Sequence, residues 1–231
     1  MARAQVVILA GGLGVRLRPV TLTVPKSMAP VAGRPFLEHL FRLLASQDLR
    51  RVVLLTGYLG EQVEAYFGDG ADAGVAITYA REPAPRGTAG AVRDAREVLE
   101  DTFLLLNGDT YLACDYNRLY EGLEQSGAEA VMAVYGNPET VAPNNVRLTA
   151  GGRVAAYSKT QRDDMTHVDA GAYALRRQVL ERLPPGDPCS LEDDLFPLLT
   201  GEGSLAAYPV TSRFYDIGTL QRLADAERFL G

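Results

Sequence analysis

A chain of 231 residues with 47% hydrophobic and 23% charged side chains has the composition of a globular protein with ample material for a core. Its net charge of −6 argues against a broad nucleic-acid surface, and its two cysteines and two histidines leave neither a zinc cluster nor a disulfide framework to build. No run of about 20 apolar residues exists to cross a membrane, so the expected compartment is a reducing cytoplasm in which Cys114 and Cys189 are ordinary thiols.

Gln5–Leu9 reads as an apolar strand, and so early a strand leaves no room for a signal peptide. It runs into Gly11-Gly12-Leu13-Gly14-Val15-Arg16-Leu17-Arg18-Pro19. There Pro19, Pro25, Pro30 and Pro35 break any helical period, so the segment is expected to wrap over a ligand as extended chain. Pro35–Gln47 carries a helical stripe of Phe36, Leu37, Leu40, Phe41, Leu43 and Leu44, with His39 packing in it. Arg51–Leu55 reads as a buried strand, Glu61–Phe67 as a short helix, Val75–Ala80 as an alternating strand, Thr88–Leu99 as a helix capped by Thr88, and Phe103–Leu106 as the next strand. This rhythm predicts an α/β fold of Rossmann-like character, a mixed and mostly parallel sheet flanked by helices. Ligands of such sheets bind beyond the carboxyl ends of the strands, where the Gly11 loop and Asn107-Gly108-Asp109 both fall.

The second half changes character. Ala128–Tyr135, Val146–Leu148, Val154–Tyr157 and Val168–Leu175 read as short strands joined by turns, a small antiparallel subregion. Leu191–Leu199 and Leu220–Leu230 read as closing helices. With no repeat or linker, the expectation is one domain over residues 1–231, with 1–110 mainly binding one ligand and 111–231 mainly the other.

The glycine-rich loop offers bare backbone N–H groups, and Arg16 and Lys26 add positive charge, so polyphosphate oxygens are the natural ligand. It is not a Walker loop, because Lys26 lies too far from the glycines. It lacks the third glycine of the dinucleotide fingerprint and a helix directly after it. Asp109, at the carboxyl end of a strand beside that loop, suits Mg²⁺, which prefers one or two carboxylates plus phosphate oxygens, although Asp109 would equally shape a turn. Gly108 lets the backbone approach a ligand. Asp216, late in the chain, would either bind metal or cap the last helix.

Leu9-Ala10-Gly11-Gly12-x-Gly14-x-Arg16-Leu17-x-Pro19, followed by Pro25-Lys26-x-Met28-x-Pro30-Val31, resembles the signature of sugar-phosphate nucleotidylyltransferases. The resemblance extends over nearly the whole chain and is nearest to the short mannose and heptose 1-phosphate guanylyltransferases. It implies the nucleotide-diphospho-sugar transferase fold, with Asp109 and the Asp216 of Asp216-Ile217-Gly218-Thr219 as the Mg²⁺ ligands. It further implies Arg16, Lys26 and Asp109 as catalytic residues. Leu9, Gly11, Gly12, Gly14, Gly87, Thr88 and Gly108 would be nucleotide-binding, with Arg18 a helper or a surface residue. Because the chain ends at Gly231, the β-helix that some members append is expected to be absent.

On the sugar side the chain departs from the pattern. Lys159 matches the lysine that holds the sugar's phosphate, but Ser158 stands where a glutamate usually accepts sugar hydroxyls. Asp169-Ala170-Gly171 replaces Asn-Ala-Gly, and Asn144-Asn145-Val146 replaces Tyr-Gly-Val. Asn145, Ser158, Lys159, Asp169 and Gly171 are therefore the expected sugar-phosphate residues, for a sugar other than plain glucose 1-phosphate. Glu192-Asp193-Asp194 reads as a helix opening after Ser190, although Glu192 matches a Ser-Leu-Glu segment common in the family. Asp163-Asp164 reads as a polar loop, and His167 as a residue at the edge of the sugar pocket.

The expected reaction joins a nucleoside triphosphate, GTP favoured, to a manno-configured hexose or heptose 1-phosphate, giving a nucleotide sugar and pyrophosphate with Mg²⁺ as cofactor. No nucleic-acid or membrane partner is expected. Homo-oligomers are common in the family, but no heptad marks an interface. Uridylyl, thymidylyl or cytidylyl transfer is the alternative within the class. A silent nucleotide-sugar sensor is the alternative outside it, opposed by the presence of every charged residue named.

Overall fold

The computed structural model describes residues 4–160, 164–184 and 188–231, so Asp163 of the Asp163-Asp164 pair lies outside the described residues. The fold is α/β: seven strands belong to a mixed, mostly parallel sheet flanked by helices, and three further strand pairs are antiparallel. The chain divides into two compact units. Met1–Pro85, Leu106–Ala113 and Phe214–Gly231 form one, and Arg86–Leu105 with Cys114–Arg213 form the other.

In the first unit, β1 (Gln5–Leu9) pairs in parallel with β2 (Arg51–Thr56), which pairs in parallel with β3 (Ala76–Arg81). Val6, Val7 and Ile8 face Val52, Val53 and Leu54, and all six are buried. Strands buried on both faces read as continuous apolar runs, which is why alternation is missing from β1 and β2. The helix Phe36–Ser46 buries Phe36, Leu37, Leu40, Phe41 and Leu44 of the expected stripe and leaves Leu43 half-buried. Its Glu38 is flanked by Arg34 and Arg42, which hold the carboxyl below its ordinary value against the opposing cost of partial burial. The segment from Gly14 to Met28 is not extended as expected. It folds into three single turns of 3₁₀ helix, Val15–Leu17, Val20–Leu22 and Lys26–Met28, because Leu17, Thr21, Ser27 and Met28 are pulled inward in succession. Thr110–Leu112 and Phe214–Asp216 pair antiparallel, which brings the C-terminal segment beside the Asp109 turn.

The strand β4 (Thr102–Asn107) leads into that turn. In the second unit, β5 (Ala130–Tyr135) lies between β6 (Val168–Arg176), antiparallel to it, and β7 (Leu205–Val210), parallel to it. All six residues of β5 are buried. Val146–Leu148 and Val154–Tyr157 form the expected antiparallel pair. The sequence reading missed β7, whose Pro209 masks a strand. A proline is tolerated there because β7 lies at the sheet's edge. It also missed the helix Tyr116–Ser126, whose signals were present: an Asp115 cap accepting from the Arg118 N–H at 3.0 Å, buried Tyr116, Leu119 and Leu123, and Gly127 in the left-handed region.

One expected cap is corrected, and one of two open alternatives for Asp216 is removed. Thr88 does not cap its helix, Gly87–Asp94. Arg86 precedes the first turn and makes no side-chain cap, while the N–H groups of Ala89 and Gly90 bond the Cys189 carbonyl. The last helix, Leu220–Leu230, is capped by Thr219 rather than Asp216, which leaves the Asp216 carboxylate for other work. Among the described residues, no helix is long and apolar enough to cross a membrane.

Candidate active site

The first unit gathers the residues expected to handle polyphosphate and metal. The Gly108 N–H donates to the Leu9 carbonyl at 2.9 Å, so the end of β1 and the Asp109 turn are tied together. A methyl group on Gly108 would come within 2.5 Å of that carbonyl oxygen, which explains the glycine by packing alone. Gly11 approaches Gly57 closely, and a methyl group on either would lie 2.6 Å from Glu82 Oε1. Glu82 therefore faces the glycine loop, and nothing in its local sequence singles it out. Gly12 has nothing within 4 Å of where a side chain would begin, so its backbone is open to approach. Gly14 sits at φ +60°, where its missing side chain lets Thr21 and Lys26 close in. The Thr21 hydroxyl holds the Gly14 carbonyl at 2.8 Å.

Lys26 follows Pro25 and is backed by buried Ser27 and Met28, so its ammonium is aimed while its stem is held. It pairs with Asp109 Oδ2, and the Thr110 hydroxyl donates to Asp109 Oδ1 at 3.0 Å. Asp216 accepts the Gly218 N–H at Oδ1 (2.8 Å) and the Arg222 guanidinium at Oδ2 (2.8 Å). Gly218 marks where these groups meet. A methyl group built on it would lie 2.8 Å from Asp216 Oδ1, 3.7 Å from Arg16 Nη2 and 3.8 Å from Lys26 Nζ. Arg16, Lys26 and Asp216 thus meet at one glycine, and Asp109 joins them through its pairing with Lys26. Arg18 is exposed. Gly218 and Arg222 were not singled out from the sequence, although glycine in Asp-x-Gly-Thr was the available signal.

This donor set fits Mg²⁺. Asp109 and Asp216 offer hard oxygens, and no group of three or more His, Cys, Asp or Glu side chains gathers among the described residues, so polyphosphate oxygens would have to complete the shell. Each carboxylate is charge-balanced by a basic side chain, Lys26 or Arg222, that a metal ion would compete with.

The second unit gathers the residues expected to bind sugar phosphate. Asn145 Oδ1 accepts the Asp169 N–H at 2.9 Å, and its backbone carbonyl accepts the Ser158 N–H at 3.0 Å. Asp169 is half-buried as a residue, and its carboxylate is enclosed by the Gly171 N–H (2.9 Å), the Tyr173 hydroxyl (2.8 Å) and the more distant Tyr157 hydroxyl (3.4 Å). Burial pushes the Asp169 carboxyl up to about 6, and the hydrogen bonds from Gly171, Tyr173 and Tyr157 only partly offset it. Gly171 stands at φ +74° in the irregular stretch of β6, where only glycine turns its N–H back to Asp169 without strain. Lys159 pairs with Asp193 Oδ2 at 2.8 Å, and its hydrogen bond holds the Asp193 carboxyl below its ordinary value.

Gly87 and Thr88, expected to contact the nucleotide, are engaged by this unit's own backbone. Gly87 sits at φ +72°, and a methyl group there would lie 2.4 Å from the Cys189 carbonyl oxygen. The Thr88 hydroxyl accepts the Leu191 N–H at 2.8 Å and donates to Glu192 Oε2 at 2.9 Å. Ser190 caps the turn that follows, as expected. His39 packs in its helix and contacts the Val31 carbonyl at 2.9 Å. His167 is half-buried, and burial lowers its pKa.

A family model described as Nucleotidyl transferase matches residues 5–231. A mannose-1-phosphate guanylyltransferase of Mycobacterium tuberculosis is 36% identical over 225 residues, 95% of this chain and 63% of that protein. A D-glycero-alpha-D-manno-heptose 1-phosphate guanylyltransferase of Aneurinibacillus thermoaerophilus is 31% identical over 215 residues, 93% of each chain. The chain thus spans less than two thirds of the mycobacterial relative and nearly all of the heptose one. Among solved structures, HddC from Yersinia pseudotuberculosis, complexed with GMP-PN, superposes with a TM-score of 0.85 at 27% identity, covering 99% of this chain and 100% of that one.

Proposed function

The chain belongs to the nucleotidyl transferase family, and we propose that it joins a nucleoside triphosphate to a sugar 1-phosphate, releasing pyrophosphate and a nucleotide sugar. GTP and a manno-configured hexose or heptose 1-phosphate are the favoured pair, a preference supported by the names of two relatives. The observation that carries the reading is the meeting of Arg16, Lys26 and Asp216 at Gly218, with Asp109 paired to Lys26.

Nucleotidyl transfer asks for positioning and charge neutralisation more than for covalent chemistry by the protein. The Arg16 fork suits the oxygens of the departing pyrophosphate, and Lys26 serves as a compact charge on the phosphate next to it. Asp109 and Asp216 would hold Mg²⁺, which when bound neutralises triphosphate oxygens. Lys159 would seat the phosphate of the sugar. Its oxygen, already anionic, forms a bond to the α-phosphorus as the α–β bridge breaks, so no protein base is needed. The Gly11–Gly14 loop would border the nucleotide, while Asn145, Ser158, Asp169 and Gly171 would frame the sugar.

The test is pyrophosphate release with Mg²⁺ across GTP, UTP, dTTP, CTP and ATP, each against mannose, glucose, N-acetylglucosamine and heptose 1-phosphates. The expected result is a dominant signal with GTP and a manno-configured sugar, abolished by EDTA and restored by excess Mg²⁺. A signal confined to another nucleotide removes the guanylyl preference and keeps the transfer. Triphosphate binding without turnover of any sugar would favour the silent sensor.

A further inference from the structure

Glu192 lies where the candidate residues of the second unit converge. One of its oxygens, Oε2, accepts the Thr88 hydroxyl at 2.9 Å and the Ser190 hydroxyl at 2.7 Å, and Lys159 Nζ lies 3.8 Å from that same atom. Its side chain is 20% exposed, against 61% for neighbouring Asp193, so Glu192 is set into the fold while Asp193 stands on the rim. The other oxygen, Oε1, has no protein partner among the described residues. Glu192 also faces the Asp169, Tyr157 and Tyr173 group closely enough for its charge to act on all three.

A phosphate on Lys159 brings a sugar with it, and the hydroxyl on C2 of a sugar 1-phosphate is only a few bonds from the phosphorus. That hydroxyl needs an acceptor close to Lys159. Ser158 is too short to reach far and carries no charge. The oxygens of Asp169 are occupied by Gly171 and Tyr173. Asp193 is exposed and bound to Lys159 itself, a pairing that a phosphate dianion would displace at little cost. Among these described residues, Glu192 alone combines a carboxylate anchored through one oxygen with a second oxygen that has no protein partner.

We propose that Glu192 is a sugar-recognition residue, whose Oε1 accepts the hydroxyl next to the anomeric carbon of a sugar 1-phosphate seated on Lys159. This rests on the reading of Lys159 as the sugar-phosphate cation. It gives Glu192 a role beyond opening a helix, and it makes the Thr88 and Ser190 hydroxyls the positioning groups that fix its rotamer.

The experiment compares wild type, Glu192→Gln, Glu192→Asp and Lys159→Ala, using the sugar 1-phosphate with the highest kcat/KM, its 2-deoxy analogue, and inorganic phosphate as a competitive probe. Glutamine keeps both hydroxyl contacts, so the melting temperature should hold. KM for the sugar 1-phosphate should rise about tenfold or more, the scale of one charged hydrogen bond, with kcat within about threefold. Inhibition by inorganic phosphate should change by less than about twofold, and the 2-deoxy analogue should bind wild type and Glu192→Gln alike. Glu192→Asp, charged but shorter, should fall between, and it carries the test if the glutamine variant does not fold. Unchanged KM in both Glu192 variants, with KM raised in Lys159→Ala, would overturn the proposal and leave the Lys159 reading intact. Unchanged KM in Lys159→Ala would remove that reading and the proposal with it.

Discussion

Replacing Asp169 by Asn should stabilise the protein, increasingly so as the pH rises above the ordinary carboxyl value and fully once the native carboxyl has ionised. Asn has the same shape, its carbonyl oxygen can keep the Gly171 N–H, and the tyrosine hydroxyls can rotate to accept from its amide. The change therefore removes a charge rather than a contact. Burial raises the Asp169 carboxyl from 3.8 to about 6, a shift of roughly two units or about 3 kcal/mol. The sign follows from proton binding. Between pH 4 and 6 the folded state keeps a proton that the unfolded chain has lost, so wild-type stability falls as pH rises through that window and the loss is complete by about pH 8. The variant cannot titrate there. The stability difference should be small near pH 4 and grow to as much as about 3 kcal/mol at pH 8, or roughly 6–12 °C in melting temperature for a chain of this length. Urea titrations at half-unit steps from pH 5 to 8, run dilute because the isoelectric point is near 5.0, would trace the curve. A difference that stays flat across this range, or an Asn variant less stable than wild type at pH 8, would refute the reasoning.

Three further outcomes are expected. Asp109→Asn should lower kcat at least about a hundredfold at saturating Mg²⁺ while the far-ultraviolet circular dichroism stays unchanged, since the residue lies in a turn and its backbone bonds persist. Gly108→Ala should destabilise by about 1–3 kcal/mol in denaturant titrations, because its methyl group would sit 2.5 Å from the Leu9 carbonyl oxygen and force β1 and the Asp109 turn apart. Asp193→Asn should lower KM for the sugar 1-phosphate by up to about fivefold with kcat unchanged, because it frees Lys159 from an exposed ion pair worth no more than about 1 kcal/mol. A raised KM in that variant would show Asp193 to be helping the substrate rather than competing with it.

Much of the molecule was legible in the chain because the information is local. The apolar runs of β1, β2 and β4, the stripe of the Phe36 helix and the bounds of the last helix follow from burial period and caps that lie within a few residues of one another. The glycine loop, Arg16, Lys26 and Asp109 could be picked out as candidates because glycine, cation and carboxylate stand at strand ends, where such sheets take ligands. What the sequence could not decide is who meets whom. Gly218 becomes the meeting point of Arg16, Lys26 and Asp216 only because Phe214–Asp216 pairs with Thr110–Leu112, a contact across about half the chain. Thr88 reads locally as a cap, yet the Cys189 carbonyl satisfies the helix's first N–H groups and leaves the hydroxyl to Leu191 and Glu192. Glu192 reads locally as an acidic residue at a helix start. Only folding carries it, from more than thirty residues away, to within 3.8 Å of Lys159. Local propensity sets the elements, because backbone hydrogen bonds and caps act over a few residues. The partners of each charged side chain are set by strand pairing, which joins residues that no sequence window contains.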